Sequence, residues 1–171
     1  MGMDVYGRKP TTPEGEYFRR NVWGWRPLAM LVCKLAPETT RQCKYWYSND
    51  GDGLRAANAK RLAAVLDKAL ASGRVAALIA IRVARLRRMP DVSCTLCAGT
   101  GTRTDDVGEK LGYDKRAIDA DDHPRHGAIG WCNGCDGRGS TRPSETNYYL
   151  RETDVRDFSE FLKVSGGFRI C

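Results

Sequence analysis

Apolar residues recur at helical spacing in several stretches of this chain. The clearest runs from Leu54 to Ala71. Stepped at about 100° per residue, Leu54, Leu62, Val65, Leu66, Ala69 and Leu70 gather on one side, with Lys60, Asp67 and Lys68 opposite. Asp52 is the expected N-cap of this helix and Gly73 its stop. A second helix is expected from Arg74 to Met89, ended by Pro90, with Val75, Ile79, Val83 and Leu86 on one face and Arg74, Arg82, Arg85 and Arg88 on another. Joined by Ser72-Gly73, the two should pair antiparallel and bury their apolar faces against aromatics near the start of the chain. A shorter apolar helix, Leu28 to Leu35, would begin at Pro27 and end at Pro37. Near the end, Thr153 should cap a helix from Asp154 to Val164 whose face is Val155, Phe158, Phe161 and Leu162, stopped by Gly166-Gly167. Tyr148 to Leu150 has the pattern of a short strand, while everything up to Gly15 is rich in Gly, Pro and Thr and reads as irregular.

Between these elements, Tyr17 to Pro27 alternates aromatics with arginines. Such a run can stack on and neutralise single-stranded nucleic acid, or can supply core anchors, of which Trp23 and Trp25 are the obvious ones and Trp46 a third. With 171 residues, 42% apolar, the chain can bury a core without disulfides. No apolar run approaches membrane-spanning length and the start lacks a signal-peptide core, so a cytoplasmic protein is expected. The net charge of +7 is carried entirely by residues 1–90, and the remainder is slightly acidic. Two C-x-x-C pairs, Cys94/Cys97 and Cys132/Cys135, follow the earlier helical stretches, so the expected protein is mainly α with a small β-hairpin zinc-knuckle module, α+β in class. Its parts would be a basic helical domain at 1–90, a zinc module with an acidic insert at 91–142, and a helix at 143–171 packed on the first domain.

Seven cysteines is an odd number, and four of them lie in two C-x-x-C pairs, which in a reducing compartment points to metal before disulfides. Cys94-Thr95-Leu96-Cys97-Ala98-Gly99-Thr100-Gly101 and Cys132-Asn133-Gly134-Cys135-Asp136-Gly137-Arg138-Gly139 both fit C-x-x-C-x-G-x-G. The two-residue spacing lets one turn present two thiolates to a tetrahedral ion, and the glycines allow positive φ where the backbone curls to donate N–H groups to sulfur. One structural Zn²⁺ held by Cys94, Cys97, Cys132 and Cys135 is therefore expected. Four thiolates would close its shell and leave no place for a catalytic water. Cys33 and Cys43 read as small buried apolar residues and Cys171 as an exposed thiol.

The doubled motif resembles the cysteine-rich region of DnaJ-type chaperones. That resemblance implies hairpins bringing separated repeats around a shared zinc, which would close the 34-residue gap between Cys97 and Cys132. It covers about residues 91–142, with two repeats instead of four. There is no J domain: His123-Pro124-Arg125 is similar to that domain's His-Pro-Asp triplet but differs in its third residue and in its setting, so no cochaperone role is expected. His123 and His126 read as solvated loop residues.

Other motifs lead nowhere. Asn49 to Gly53 resembles the start of a calcium loop but would place Ala59 where a bidentate Glu is needed, and reads better as a turn. Gly99 to Arg103 lacks the Lys-Ser/Thr pair of a phosphate loop. No nucleophile-elbow or His-Glu-x-x-His pattern occurs, so no enzymatic activity and no small-molecule substrate are expected. Arg74, Arg82, Arg85, Arg87 and Arg88, with no acidic residue from Val75 to Met89, form the most suggestive surface. They could lie along phosphates, or pair with Asp119, Asp121 and Asp122 of the same chain. The expected function is that of a non-enzymatic zinc-binding interaction protein docking onto a protein or nucleoprotein partner. In size and composition it resembles phage-encoded inhibitors of host machinery such as anti-CRISPR proteins. The alternative is a DNA- or RNA-binding regulator of the antitermination kind.

Overall fold

A computed structural model describes residues 2–171 and divides the chain into two compact units, Met1–Arg87 with Asn147–Cys171, and Arg88–Thr146. In chain order the first unit contributes β1 (Gly2–Gly7), β2 (Tyr17–Asn21), α1 (Val22–Leu35), α2 (Pro37–Thr40), α3 (Ala56–Ala71) and α4 (Arg74–Arg87). The second holds β3 (Val92–Ser93), α5 (Asp106–Lys110) and β4 (Ser140–Thr141), after which α6 (Glu152–Val164) and β5 (Phe168–Ile170) return to the first. The class is α+β, and among the described residues no helix is long and apolar enough to cross a membrane.

In the first unit β1 lies between β2 and β5 in an antiparallel sheet, with Val5 opposite both Phe18 and Ile170. The opening segment is thus a central strand, contrary to the irregular reading. Met3 and Val5 point into the core while Asp4 and Tyr6 alternate outward, a period-two signal too short to stand out beside the neighbouring Gly and Pro. β5 was equally concealed, since only Phe168 and Ile170 are buried in it. The expected strand at Tyr148–Leu150 does not form.

One apolar cluster fills this unit. Trp25, Trp46, Phe18, Phe158, Phe161 and Phe168 interlock in it, the Trp25 and Trp46 rings stacked 6.2 Å apart and Phe158 edge-on to Trp25. Both indole N–H groups are satisfied, Trp25 Nε1 donating to the Trp46 carbonyl (2.6 Å) and Trp46 Nε1 to that of Thr40 (3.1 Å). Trp23 is not an anchor: it remains 41% exposed and lies edge-on to Tyr148. The aromatic and arginine run therefore divides, Phe18 and Trp25 facing inward and Tyr17 and Trp23 outward.

α3 buries Ala59, Leu62, Ala63, Leu66 and Ala69, and its most extensive helix contact is with α6. Asp52 does not cap it. That carboxylate instead accepts from the backbone N–H groups of Lys44 (2.5 Å), Tyr45 (3.2 Å) and Gly53 (2.7 Å), so it closes the preceding loop, and Arg55 occupies the cap position without a side-chain bond. α1 begins five residues before Pro27 because the Asn21 side chain accepts from Gly24 N–H at 2.9 Å; the proline sits inside the helix. Pro37 opens α2 after Ala36 ends α1. In α6, Arg151 replaces Thr153 at the cap. The buried Asp154 carboxylate accepts from Arg151 N–H at 2.8 Å and pairs with Arg20 at 3.1 Å. Gly166, with φ +63°, lets the chain turn into β5; a Cβ there would lie 2.0 Å from the Lys9 carbonyl oxygen.

α4 departs furthest from expectation. Only Val75 and Leu86 of it are buried, Ile81 and Val83 are 65% and 38% exposed, and it ends at Arg87. α4 touches α3, but α6 makes the more extensive contact with it.

Candidate metal centre

The second unit is organised around its cysteines. β3 pairs antiparallel with β4, Val92 opposite Thr141 and Ser93 opposite Ser140, bringing the start of the first repeat beside the end of the second. Cys94 N–H donates to the Gly139 carbonyl at 2.8 Å. From there the two repeats take the same course. Gly99 N–H bonds the Cys94 carbonyl (3.2 Å) as Gly137 N–H bonds that of Cys132 (3.0 Å). Thr100 N–H bonds Cys97 O (2.9 Å) as Arg138 N–H bonds Cys135 O (3.0 Å). Finally Gly101 N–H and Gly139 N–H each reach a sulfur, Cys97 Sγ and Cys135 Sγ, both at 3.2 Å.

This curl requires left-handed backbone, with φ +86° and +77° at Gly99 and Gly101 and +73° and +83° at Gly137 and Gly139. The residue before each pair, Ala98 and Asp136, is left-handed too, at +49° and +52°. The glycines also admit the close approach of the halves: a Cβ on Gly139 would stand 2.3 Å from Gly99 O, and one on Gly101 2.3 Å from Gly137 O.

All four sulfurs lie within 4.8 Å of one another and all four residues are buried, with Cys94 and Cys132 Sγ 3.9 Å apart and Cys97 and Cys135 Sγ 3.7 Å apart. Four sulfurs about 2.3 Å from a central ion in a tetrahedron are separated by about 3.8 Å, so the cluster has the dimensions of tetrathiolate coordination. Burial opposes ionisation of Cys97, but the Gly101 N–H and the neighbouring thiols outweigh it and bring that thiol down to about 7. Burial, with the surrounding sulfurs, pushes Cys135 up to about 12. Four thiolates at this spacing would repel one another strongly unless a cation lay between them. No disulfide joins any cysteines among the described residues. Cys43 is buried, Cys33 half-buried and Cys171 exposed.

The insert between the repeats is latched to the second one by residues the sequence did not single out as structural. His123, expected in solvent, is only 8% exposed. Its Nδ1 accepts from Arg125 N–H (3.0 Å), which leaves the ring proton on Nε2 to donate to the Asp136 carbonyl (2.6 Å). Arg125 Nη1 donates to the next carbonyl, Gly137 O, at 2.9 Å, and its Nη2 to Thr102 Oγ1 at 3.3 Å. With both ring nitrogens engaged, His123 offers no nitrogen to a metal. On the other side Arg103 grips Asp105 through two bonds (2.7 and 2.9 Å) and Asn133 through a third (2.9 Å), and Asp105 caps α5 through Gly108 N–H. Trp131 anchors the middle, under the Arg116 guanidinium at 4.0 Å and edge-on to Tyr113. The spacing of His123 and Arg125 from the second repeat was visible, but nothing local marks a histidine as buried.

The arginines fare unevenly. Arg74, Arg85 and Arg87 are exposed on α4, and Arg88 is exposed beyond its end. Arg82 is half-buried and donates to the Tyr148 carbonyl at 3.1 Å, so it does not belong to an open stripe.

These features define an α+β protein with a buried tetracysteine cluster able to bind a metal ion, consistent with zinc. No family model, curated protein or solved structure matches the chain.

Proposed function

We propose that this is a non-enzymatic interaction protein in which one structural zinc, held by Cys94, Cys97, Cys132 and Cys135 in a DnaJ-like knuckle, rigidifies the second unit, and α4 docks onto a protein or nucleoprotein partner. The observation that carries the docking role is the surface of α4. It holds Ile81 and Val83 out in solvent, carries Arg74, Arg85 and Arg87 beside them, and has no acidic residue. Two residues apart, Ile81 and Val83 lie on opposite flanks of the helix, Ile81 beside Arg74 and Arg85 and Val83 beside Arg87, so each exposed apolar side chain has a basic neighbour, which suits a partner presenting apolar groups edged with carboxylates or phosphates. An inhibitor of host machinery of the anti-CRISPR kind would act in this way. The zinc serves as scaffold, since four thiolates leave no open position for substrate or water.

Affinity capture from nuclease-treated lysate, comparing the wild type with an Ile81→Asp, Arg87→Glu variant of equal melting temperature, tests the docking face. A protein recovered by the wild type and lost from the variant supports it, and equal recovery refutes it. Metal analysis should return one zinc per chain, lost in Cys94→Ser with Cys132→Ser. The second reading, a regulator gripping duplex DNA or RNA along α4, is favoured by its uninterrupted basic charge. It requires gel-shift binding that weakens steeply with salt and in Arg85→Glu, Arg87→Glu.

A further inference from the structure

We propose that the outer face of the β2-β1-β5 sheet is a binding platform for single-stranded RNA. Antiparallel register places Tyr6 of β1 opposite Tyr17 of β2 on one side and Arg169 of β5 on the other, and places Asp4 opposite Arg19. All five project away from the core, whose side of the sheet is Met3, Val5, Phe18, Phe168 and Ile170. The two tyrosine rings are 5.1 Å apart and inclined at 41°, yet they remain 48% and 45% exposed, so their pairing leaves both with accessible faces. Cross-strand pairing alone would account for two touching tyrosines. Arg19 is likewise engaged across the strands with Asp4, but two further guanidiniums lie beside the rings, Arg169 across β5 and Arg8, whose Nε is held against the Phe168 carbonyl at 3.0 Å where β1 ends.

Half-exposed aromatic rings on a sheet, bordered by basic groups, are what unpaired bases and their phosphates require. Bases stack on the rings whatever their identity, and the arginines follow the backbone. A duplex hides its base faces and cannot use such rings. A protein partner would gain little here, because the apolar area is two rings and the rest is charged.

Asp4 decides between the two single-stranded nucleic acids. Its carboxylate lies in the middle of the basic platform, bonded to Tyr17 Oη and paired with Arg19 at 3.4 Å. A carboxylate there repels phosphate, a cost for DNA and RNA alike. With acceptor sites to spare it can receive a hydrogen bond from a ribose 2′-OH, which DNA lacks. The platform is separate from α4, and the failure of either assignment leaves the other intact.

Fluorescence anisotropy with a short labelled single-stranded RNA of mixed sequence, the DNA of the same sequence, and the RNA duplex tests this on the full chain. RNA should bind most tightly, DNA several-fold more weakly and duplex least. Tyr6→Ser with Tyr17→Ser should weaken RNA binding by about tenfold or more, while Tyr6→Phe with Tyr17→Phe should keep most of it. Arg19→Gln with Arg169→Gln should reduce the slope of log affinity against log salt by about 1 to 2. The phenylalanine and arginine variants keep the test decisive if the serine pair does not fold. Equal affinity for DNA overturns the choice of RNA. Absence of binding, equal affinity for duplex, or indifference to the tyrosine and arginine substitutions overturns the platform. So does loss of a captured protein partner, instead of RNA, on changing these tyrosines.

Discussion

The two units of this molecule are held together by different forces. The first buries one apolar cluster that runs from Met3 to Ile170, with aromatic rings at its centre and α3 and α6 packed face to face. In the second, the buried cluster is the four cysteines. Its remaining order comes from backbone bonds repeated in the two halves and from side chains that bridge loops, namely His123, Arg125 and Arg103. Apolar area stabilises the first unit in small increments spread over many residues, roughly 25 cal/mol for each Å² removed from water. The second gathers its buried groups at one point, where the proposed metal–sulfur bonding would stand in for a core that its Gly-rich, polar sequence cannot build.

On the proposed zinc reading, the largest effect should come from removing the metal. Chelation, or Cys94→Ser with Cys132→Ser, should withdraw on the order of 10 kcal/mol of apparent binding energy from the second unit. In hydrogen exchange the amides of Gly101, Gly137, Arg138 and Gly139 should lose protection while those of α3 and α6 keep theirs. Uniform loss across both units would show that the first depends on the second. Because ligand cysteines bind as thiolates, metal should also be released progressively as pH falls below neutrality.

Leu66→Ala reverses the target. Leu66 is fully buried, and its truncation should cost about 2–5 kcal/mol, read as a lowered denaturant midpoint for the first unit. Zinc content should not change. His123→Ala gives the smallest effect, about 1–3 kcal/mol, because it leaves the Asp136 carbonyl without its donor and opens a gap under the insert. The expected signature is faster exchange between residues 113 and 131 with the cysteine half-sites still protected. Metal loss on this substitution would instead make the latch a part of the centre.

Legibility in the sequence followed the range of the interactions involved. α3 and α6 were readable because their faces are set by spacing within a single segment. Their caps were not. Asn21, Asp52 and Arg151 each took a role decided by where a neighbouring loop or strand lies, so one cap was missed, one was reassigned to a loop and one moved by two residues. The sheet escaped notice because β1 and β5 are separated by almost the whole chain and are too short to announce themselves.

Each half of the cysteine cluster was determined by sequence alone, since it is closed within eight residues: spacing sets where the two thiolates fall and glycine permits the curl that brings N–H groups to sulfur, while the pairing of β3 with β4 brings the halves together. Which residues face water was decided only by the tertiary structure. Tyr17 and Trp23 point out while Phe18 and Trp25 point in, α4 stays open while α6 makes the more extensive contact with α3, and His123 is buried in a polar loop. Burial depends on what arrives from elsewhere in the chain, and local pattern cannot encode a neighbour more than a hundred residues away.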